Sequence, residues 1–481
     1  MLPRMHTDVE RQHYNVTLGV LALSALAFAL SQTMVVPALP EIQRELGTST
    51  TTVTFVLTAY LLAASVATPI VGRLGDMFGK ERMLVATLLI FGAGSLIAAL
   101  SHSIEVLIAG RAVQGIGGAI FPLAFGIIRD EFPPEKVPTG IGLISATFGI
   151  GGGGGLVLSG LIVDNIDYEW IFWFGLLVTA IALVATHLFV PESPIRTPAR
   201  IDVGGGILMA GWLTSLLVGV SRANDWGWGS ARVLGLFGLA TLLLAIWVRY
   251  ESRVRDPMVD MRLMRERAVF TTNLTALLIG FGMFGSFILI PQLVQTSPEA
   301  GYGFGATVTE AGLFMLPSAA VMLLAGPIAG GLGARYGSKL PLLIGTVLSS
   351  LSFVGLELLH DHRWAIYATG AVLGVGIGFS FAAMANLIVQ AVPPERTGSA
   401  TGINTIMRSI GGSIGAQVTA AIVAADTVAG GRFPAESGFT IAFLVSALGG
   451  IAAFAAALAI PGRIRAPAIP EMDPRPATKA G

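Results

Sequence analysis

The sequence predicts an all-α polytopic membrane protein with fourteen spans: two related six-helix bundles and a further pair of transmembrane helices inserted between them. Three observations carry that prediction. The 481 residues are 53% hydrophobic and 12% charged, with a mean hydropathy of +0.75, whereas soluble domains run nearer a quarter charged. Apolar stretches of about 20 residues, the length that crosses a hydrocarbon core of about 30 Å, recur along the whole chain. Finally, the chain repeats itself. The loop at 72–82, GRLGDMFGKER, returns in worn form as GGLGARYGSKL from Gly330, and PPEK at Pro133 returns as PPER at Pro393. Pro69 pairs with Pro327, Gly75 with Gly333, Gly79 with Gly337, Gly142 with Gly402, and Gly151 and Gly152 with Gly411 and Gly412. A register held this far marks a duplication, and parallel repeats build carriers whose site lies at the seam between two bundles.

In chain order the spans fall near 16–38, 52–72, 82–101, 104–128, 138–163 and 169–190 in the first half, 202–221 and 231–250 in the insert, and 267–295, 310–332, 338–358, 364–391, 399–424 and 438–460 in the second half. This divides the chain into a tail at 1–15, a bundle at 16–190, a linker with two extra helices at 191–266, a bundle at 267–460 and a tail at 461–481. The polar opening MLPRMHTDVERQHYN leads into an apolar run with no small-residue cleavage pattern, so it reads as an anchor and not a signal peptide. An even number of spans puts both ends on one side. Placing Met1 in the cytoplasm leaves 22 Lys and Arg on cytoplasmic loops, edges and tails, against five outside: Arg44, Arg222, Arg232, Arg363 and Arg432. That distribution satisfies the positive-inside rule and predicts a multi-pass plasma-membrane protein with both termini cytoplasmic. The insert is bracketed by PESPIRTPAR and by a segment from Arg249 to Arg267 that carries six arginines; both are expected to be loop or surface helix.

Composition also excludes classes. Cysteine is absent, so disulfides, thiolate metal sites and a cysteine nucleophile are ruled out. Formal net charge is zero, which gives no basic excess for nucleic acid. The spans hold no HExxH, no paired intramembrane aspartates and no Ser–His pair at membrane depth, so an embedded enzyme lacks its catalytic constellation. A sensor would normally carry a soluble output domain, where this chain has short polar or Pro-rich tails. No cofactor or metal is expected.

Several motifs carry chemistry. In the first loop the glycines allow a tight turn, and Asp76 can face a helix N-terminus or an arginine across the seam. Ala334 takes its place in the second copy, so the electrostatic latch is expected to be stronger in the first half. LIAGRAVQGIGGA, 107–119, puts Arg111 at hydrocarbon depth, where a cation costs about 2.5–3.5 kcal/mol on insertion scales. Gln114, three residues on, shares roughly its face. FGIGGGGGLVLSG, 148–160, strings five glycines together; they let helices approach closely and weaken the helix by about 1 kcal/mol each relative to alanine, so a flexing point is expected. LSQTMVVPALPEI leaves Gln32 and Thr33 as uncharged polar groups that could bond a ligand or a neighbouring helix. GINTIMRSIGGSIGAQV, from Gly402, places Asn404 four residues before Arg408 on one face. Gln292 and Gln295 fall near the outer mouth, and Met283, Phe284, Phe381 and Met384 would suit either a greasy, adaptable pocket or plain packing.

Together these motifs resemble the major facilitator superfamily, and within it the fourteen-span drug:proton antiporters, over roughly residues 16–460. Gly72, Leu74, Asp76, Gly79 and Lys80 match the family's loop motif, which helps close the cytoplasmic side. Leu107, Arg111, Gln114, Gly115 and Gly117 match its fourth-span motif, whose arginine takes part in proton or substrate handling; the other reading is an arginine bonded to helix-end carbonyls. Gly151, Gly155 and Gly160 match the antiporter motif, although Leu156 stands where proline is expected and Ser159 where glycine is. Thr33, Ala38, Leu39 and Pro40 match the first-span pattern, with Ser31 in its aspartate's place. Asn404, Arg408, Gly411, Gly412 and Gly415 match the eleventh core span.

The resemblance implies a secondary active transporter that exports amphipathic small molecules by alternating access, with proton antiport. Its substrate and proton pathway would use Gln32, Thr33, Glu41, Arg111, Gln114, Gln292, Asn404 and Arg408. Gating would use Gly72, Asp76, Gly79, Lys80, Gly151, Gly155 and Gly160. The expected partners are a small-molecule substrate, protons and the lipid bilayer, with the chain a monomer and no nucleic acid bound. Proton coupling calls for a titrating carboxyl within reach of both sides, yet no Asp or Glu falls deep in the twelve core spans, and Glu41 is the best outer candidate. The positive tilt from Arg111 and Arg408 suits neutral or anionic ligands. A dedicated carrier for one endogenous metabolite or lipid is the alternative.

Overall fold

The computed structural model describes residues 14–196, 200–425 and 433–462. The tails assigned to 1–15 and 461–481 therefore lie almost wholly outside the described residues, as does Arg432. Among the described residues, 14 helices are long and apolar enough to cross a membrane. The first bundle holds α1 (Tyr14–Thr33), α2 (Phe55–Phe78), α3 (Lys80–Ala99), α4 (Ile104–Glu131), α5 (Val137–Asn165) and α6 (Glu169–Phe189). The insert is α7 (Val203–Trp226) and α8 (Ala231–Glu251). The second bundle holds α9 (Arg267–Gln295), α10 (Thr309–Tyr336), α11 (Lys339–Leu359), α12 (Arg363–Ala391), α13 (Pro394–Ala424) and α14 (Glu436–Leu458).

Local chemistry sets where these helices begin. Ser103, Asp202 and Ser230 accept hydrogen bonds from backbone N–H groups of the first turns of α4, α7 and α8, and Thr307 with Glu310 forms a reciprocal capping box at α10. Several boundaries differ from expectation. The second span does not end at 72 but runs on to Phe78, so the first half of the repeated loop is helix. The first span does not run to 38: it stops at Thr33 and restarts as a separate helix, Val35–Glu45. Pro37 removes the N–H that would bond the carbonyl of Thr33, four residues back. The seventh span continues past 221 to Trp226, although its last turns are polar. Arg222 makes this possible by lying 4.0 Å over the Phe55 ring and 2.9 Å from Asp225.

The packing repeats with a shift of eight helices. In the first bundle α2 packs on α4, α3 on α4 and α6, and α1 on α6; in the second α10 packs on α12, α11 on α12 and α14, and α9 on α14. Across the seam, α2 packs on α13 and α5 on α10, again related by the same shift. This is the contact pattern of two bundles related by a pseudo-two-fold axis. The α7–α8 hairpin breaks the symmetry, because α7 packs on α2 and α13 and so covers one of the two seams. On α8, Leu234, Leu239, Leu242 and Ile246 are exposed, as suits a surface facing acyl chains. Gly411 and Gly415 let α13 press onto α9, where a Cβ would collide with the carbonyls of Leu277 and Phe281. Small residues of this kind allow membrane helices to pack backbone to backbone.

Candidate functional site

One end of the seam is sealed by charge. At the end of α2 the chain turns at Gly79, whose φ of +115° favours glycine and whose Cβ position is taken by the Glu192 carboxylate. Just before it, Asp76 is 1% exposed. Its two carboxylate oxygens each accept from the opposite bundle, at 3.1 Å from the N–H of Gly398 and 3.1 Å from that of Ser399. These residues open the helix Thr397–Ala424, so a carboxylate meets the positive end of a helix. Lys80 is fully buried behind it, 3.8 Å from Asp76 and 2.6 Å from Asp130. Arg129 donates to Thr397 Oγ1 at 2.7 Å and to the Val392 carbonyl at 2.8 Å. Gly72 and Gly398 touch backbone to backbone.

The second copy has lost this chemistry position by position. Ala334, now exposed, replaces Asp76, and Pro138, which has no N–H, replaces Gly398. Ser338 and Gln390 stand where Lys80 and Asp130 form their ion pair. What remains is neutral: Gln390 donates to Ser338 Oγ at 3.3 Å, and Asn386 to the Pro138 carbonyl at 3.2 Å. Gly330 and Pro138, the counterparts of Gly72 and Gly398, keep the close backbone approach.

In the half of the seam away from these loops lies a cavity of ≈ 260 Å³. Gln32 and Thr33 of α1, Thr58 and Ser65 of α2, and Ser409, Ser413 and Gln417 of α13 supply polar groups. Met283, Phe284 and Phe287 of α9 supply apolar surface, and α7 adds Leu217, Val218 and Ser221. Among the described residues, none that lines it is charged. Asn224 ties α7 to this wall, donating to the backbone carbonyl of Gln417 at 3.1 Å and to its side-chain oxygen at 2.9 Å. A mostly apolar cleft with a few uncharged hydrogen-bonding groups fits an organic molecule with a greasy body and a polar edge.

The structure scatters the sequence-derived pathway residues. Gln32 and Thr33 reach the cavity, and Thr33 Oγ1 also donates to the Gly151 carbonyl at 2.5 Å. Glu41 lies beyond it on Val35–Glu45, paired with Arg44, and Gln292 is exposed on α9. Neither lines the cavity. Arg111 and Gln114 are fully buried elsewhere. Arg111 donates to the carbonyls of Val56 and Ser31, both at 3.1 Å, and to Gln114 Oε1 at 2.7 Å, and it lies 4.0 Å over the Tyr60 ring. Gln114 in turn donates to Ser95 Oγ at 2.6 Å. The set ties α4 to α1, α2 and α3. Asn404 donates to Asn273 Oδ1 at 2.9 Å, and with Arg408 lines a separate small chamber between the bundles.

The glycine run of α5 forms a π-helical turn, Ile150–Gly154, set into an otherwise α-helical span. A π turn misaligns backbone carbonyls, and the Thr33 hydroxyl occupies one of them. Gly151 packs on Ala29 of α1, Gly153 on Ala319 of α10, and Gly155 on Thr33, so the segment threads between the two bundles without side chains. Gly160 approaches Thr309 Oγ1, and Ser159, in a glycine's place by resemblance, donates to the Met34 carbonyl at the break in the first span.

Sequence reasoning missed the α7 wall, Phe148 and the polar groups of α13. A signal for the last was present. Thr401, Thr405, Ser409, Ser413 and Gln417 recur every four residues, which is one face of a helix.

Two pseudo-symmetric bundles, a seam latched at one end and a cavity at the other define the architecture of an alternating-access carrier. The family model of the Major Facilitator Superfamily matches residues 21–416 and again 272–479, and the chain belongs to that superfamily of membrane transporters. It is 30% identical over 391 residues to the Tetracenomycin C resistance and export protein of Streptomyces glaucescens, covering 80% of this chain and 72% of that one. It is 29% identical over 409 residues to the Multidrug transporter protein MdtP of Bacillus subtilis (strain 168), covering 84% and 74%. The crystal structure of the human organic anion transporter MFSD10 (TETRAN) matches with a TM-score of 0.67 at 15% identity, over 92% of this chain and 99% of that chain, a likeness of fold alone.

Proposed function

We propose that this chain exports amphipathic small molecules across the plasma membrane by alternating access, in exchange for protons. The observation that carries this reading is the uncharged, part-apolar cavity between the bundles, at the end of the seam opposite the Asp76 latch. With both termini cytoplasmic, as the distribution of Lys and Arg favours, the latched end faces the cytoplasm and the described conformation faces outward. Relatives named for multidrug transport and for tetracenomycin C export support efflux of organic compounds. Proton exchange is supported by the likeness of the Gly151, Gly155 and Gly160 segment to the antiporter motif. The chain acts as a monomer, since each monomer carries a whole cavity.

The test uses purified protein in liposomes with an imposed pH gradient and a fluorescent amphiphile. Gradient-driven movement that a protonophore abolishes is expected. Movement indifferent to the gradient removes proton exchange, and no movement removes the export reading. A dedicated carrier for one metabolite would instead give a deletion strain altered susceptibility to few or no compounds in a broad panel.

The hairpin gives a second expectation. Val218 of α7 is half-buried at the cavity wall, so Val218→Trp adds an indole to a space of ≈ 260 Å³ with little disturbance of the core. Transport of large dyes should fall about tenfold or more while that of small ones falls less, since each 1.4 kcal/mol of lost binding is about tenfold. Equal loss for all sizes would mean that the change acts on folding or on bundle movement.

A further inference from the structure

We propose that Arg408 is an anion-binding subsite beneath this cavity, opened when Phe148 turns aside on the glycine π turn next to it, and that the preferred substrates are amphiphiles bearing one carboxylate or sulfonate. The inference rests on the export reading and narrows its substrate class.

Arg408 is 8% exposed, yet among the described residues it has no hydrogen-bond acceptor and no ion pair. Its guanidinium instead lies 4.2 Å from the centroid of the Phe381 ring and 5.1 Å from that of Phe148. Arg111, the other arginine at membrane depth, uses three hydrogen bonds to protein acceptors. Aromatic faces return only part of what a guanidinium loses on leaving water. The five donors of Arg408 are thus left without protein acceptors and available, in the fork geometry that suits a carboxylate or sulfonate.

The surroundings are those of a closed subsite. Arg408 lines a chamber of ≈ 10 Å³ together with Phe121, Ser145, Phe148, Asn404 and Thr405, room for about one water. Among the described residues, no carboxylate lines it. Phe148 lines both this chamber and the ≈ 260 Å³ cavity, so its ring is the partition between them. That ring is stacked on Phe121 at 4.3 Å and set edge-on to Phe381 at 5.8 Å.

The partition stands beside a hinge. The π turn begins at Ile150, two residues after Phe148. Converting a π turn to regular α-helix removes one residue from the winding and rotates the segment before the turn by about 100° relative to the segment after it. Such a rotation carries Phe148 off Arg408 and joins the chamber to the cavity. An anionic head then replaces the ring over the guanidinium while the apolar body stays against Met283, Phe284 and Phe287.

A small inorganic anion could supply the same chemistry as an organic head group, so the test separates them. Equilibrium binding of pyrenebutyrate, its methyl ester and a pyrene quaternary ammonium is measured on the purified full chain, in chloride and in gluconate buffer. Expected is at least tenfold tighter binding of the acid than of the ammonium. Arg408→Gln should raise the Kd of the acid at least tenfold more than that of the ester, and Arg408→Lys should recover part of it. Phe148→Ala should tighten the acid, because the partition is gone. Equal weakening of acid and ester by Arg408→Gln, or no preference in the unaltered chain, overturns the subsite. Chloride-dependent ester binding that Arg408→Gln abolishes assigns the site to an inorganic ion and overturns the substrate claim. Binding needs no gradient, so intact acid selectivity without transport in liposomes would count against the export reading and not against Arg408.

Discussion

Replacing Asp76 with alanine will loosen the latched end of the seam and shift the protein toward its other conformation. The carboxylate accepts two backbone hydrogen bonds from Gly398 and Ser399, and bonds to a charged group contribute about 1.5–3 kcal/mol each. Burying the carboxylate offsets part of that gain. A net of about 2–3 kcal/mol remains, equivalent to about a 30- to 150-fold change in the ratio of conformers. The loss also leaves two N–H donors at the start of a helix unsatisfied. The sequence has no cysteine, so single cysteines can be placed without a background. Ser413→Cys reports the cavity, and Thr401→Cys, at a position 1% exposed, reports the closed end. In the Asp76→Ala background, maleimide labelling should fall at 413 and rise at 401. An unchanged ratio would mean that glycine packing and not charge holds this end shut. Ala334→Asp should build no matching latch in the second copy, because Pro138 offers no N–H to a new carboxylate.

Sequence reached the architecture because bilayer physics writes it in length, hydropathy and repeat. The second bundle begins with a span at 267–295, and the structure has Arg267–Gln295 there. The break at Met34 was legible in Pro37 and Pro40 but was overridden by the continuity of the apolar run. The site was less legible, for a physical reason. A motif shows which residue types are present, whereas lining a cavity depends on which way a helix face turns. Arg111 and Arg408 look alike in one dimension, each a lone cation in an apolar span. Three dimensions give the first three protein acceptors and leave the second with aromatic rings. The hairpin carried no repeat to align with, so nothing in the sequence pointed α7 toward the seam.

That contrast sets the second large effect. Arg111→Met should cost the protein about 3–5 kcal/mol, the range for breaking a buried charged network by removing one partner. Methionine keeps the apolar stem but strands the buried Ser31 carbonyl and Gln114 Oε1, while the Val56 carbonyl, in the first turn of α2, keeps its intrahelical donor. Ser31 lies in the last turn of α1, where carbonyls lack intrahelical donors, so the loss falls at the weakest point of the first span. Gln114 keeps its bond to Ser95. Lower yield and a lower melting temperature in detergent are the expected readout. Arg408→Gln should move both far less, since no protein acceptor is stranded when it goes. If Arg111→Met instead melts like the unaltered chain and loses only transport, the arginine belongs to the translocation pathway and its hydrogen bonds are incidental to stability. Equal destabilisation by both substitutions would mean that Arg408 also holds helices together, which would leave the chamber beside Phe148 without a free cation to offer.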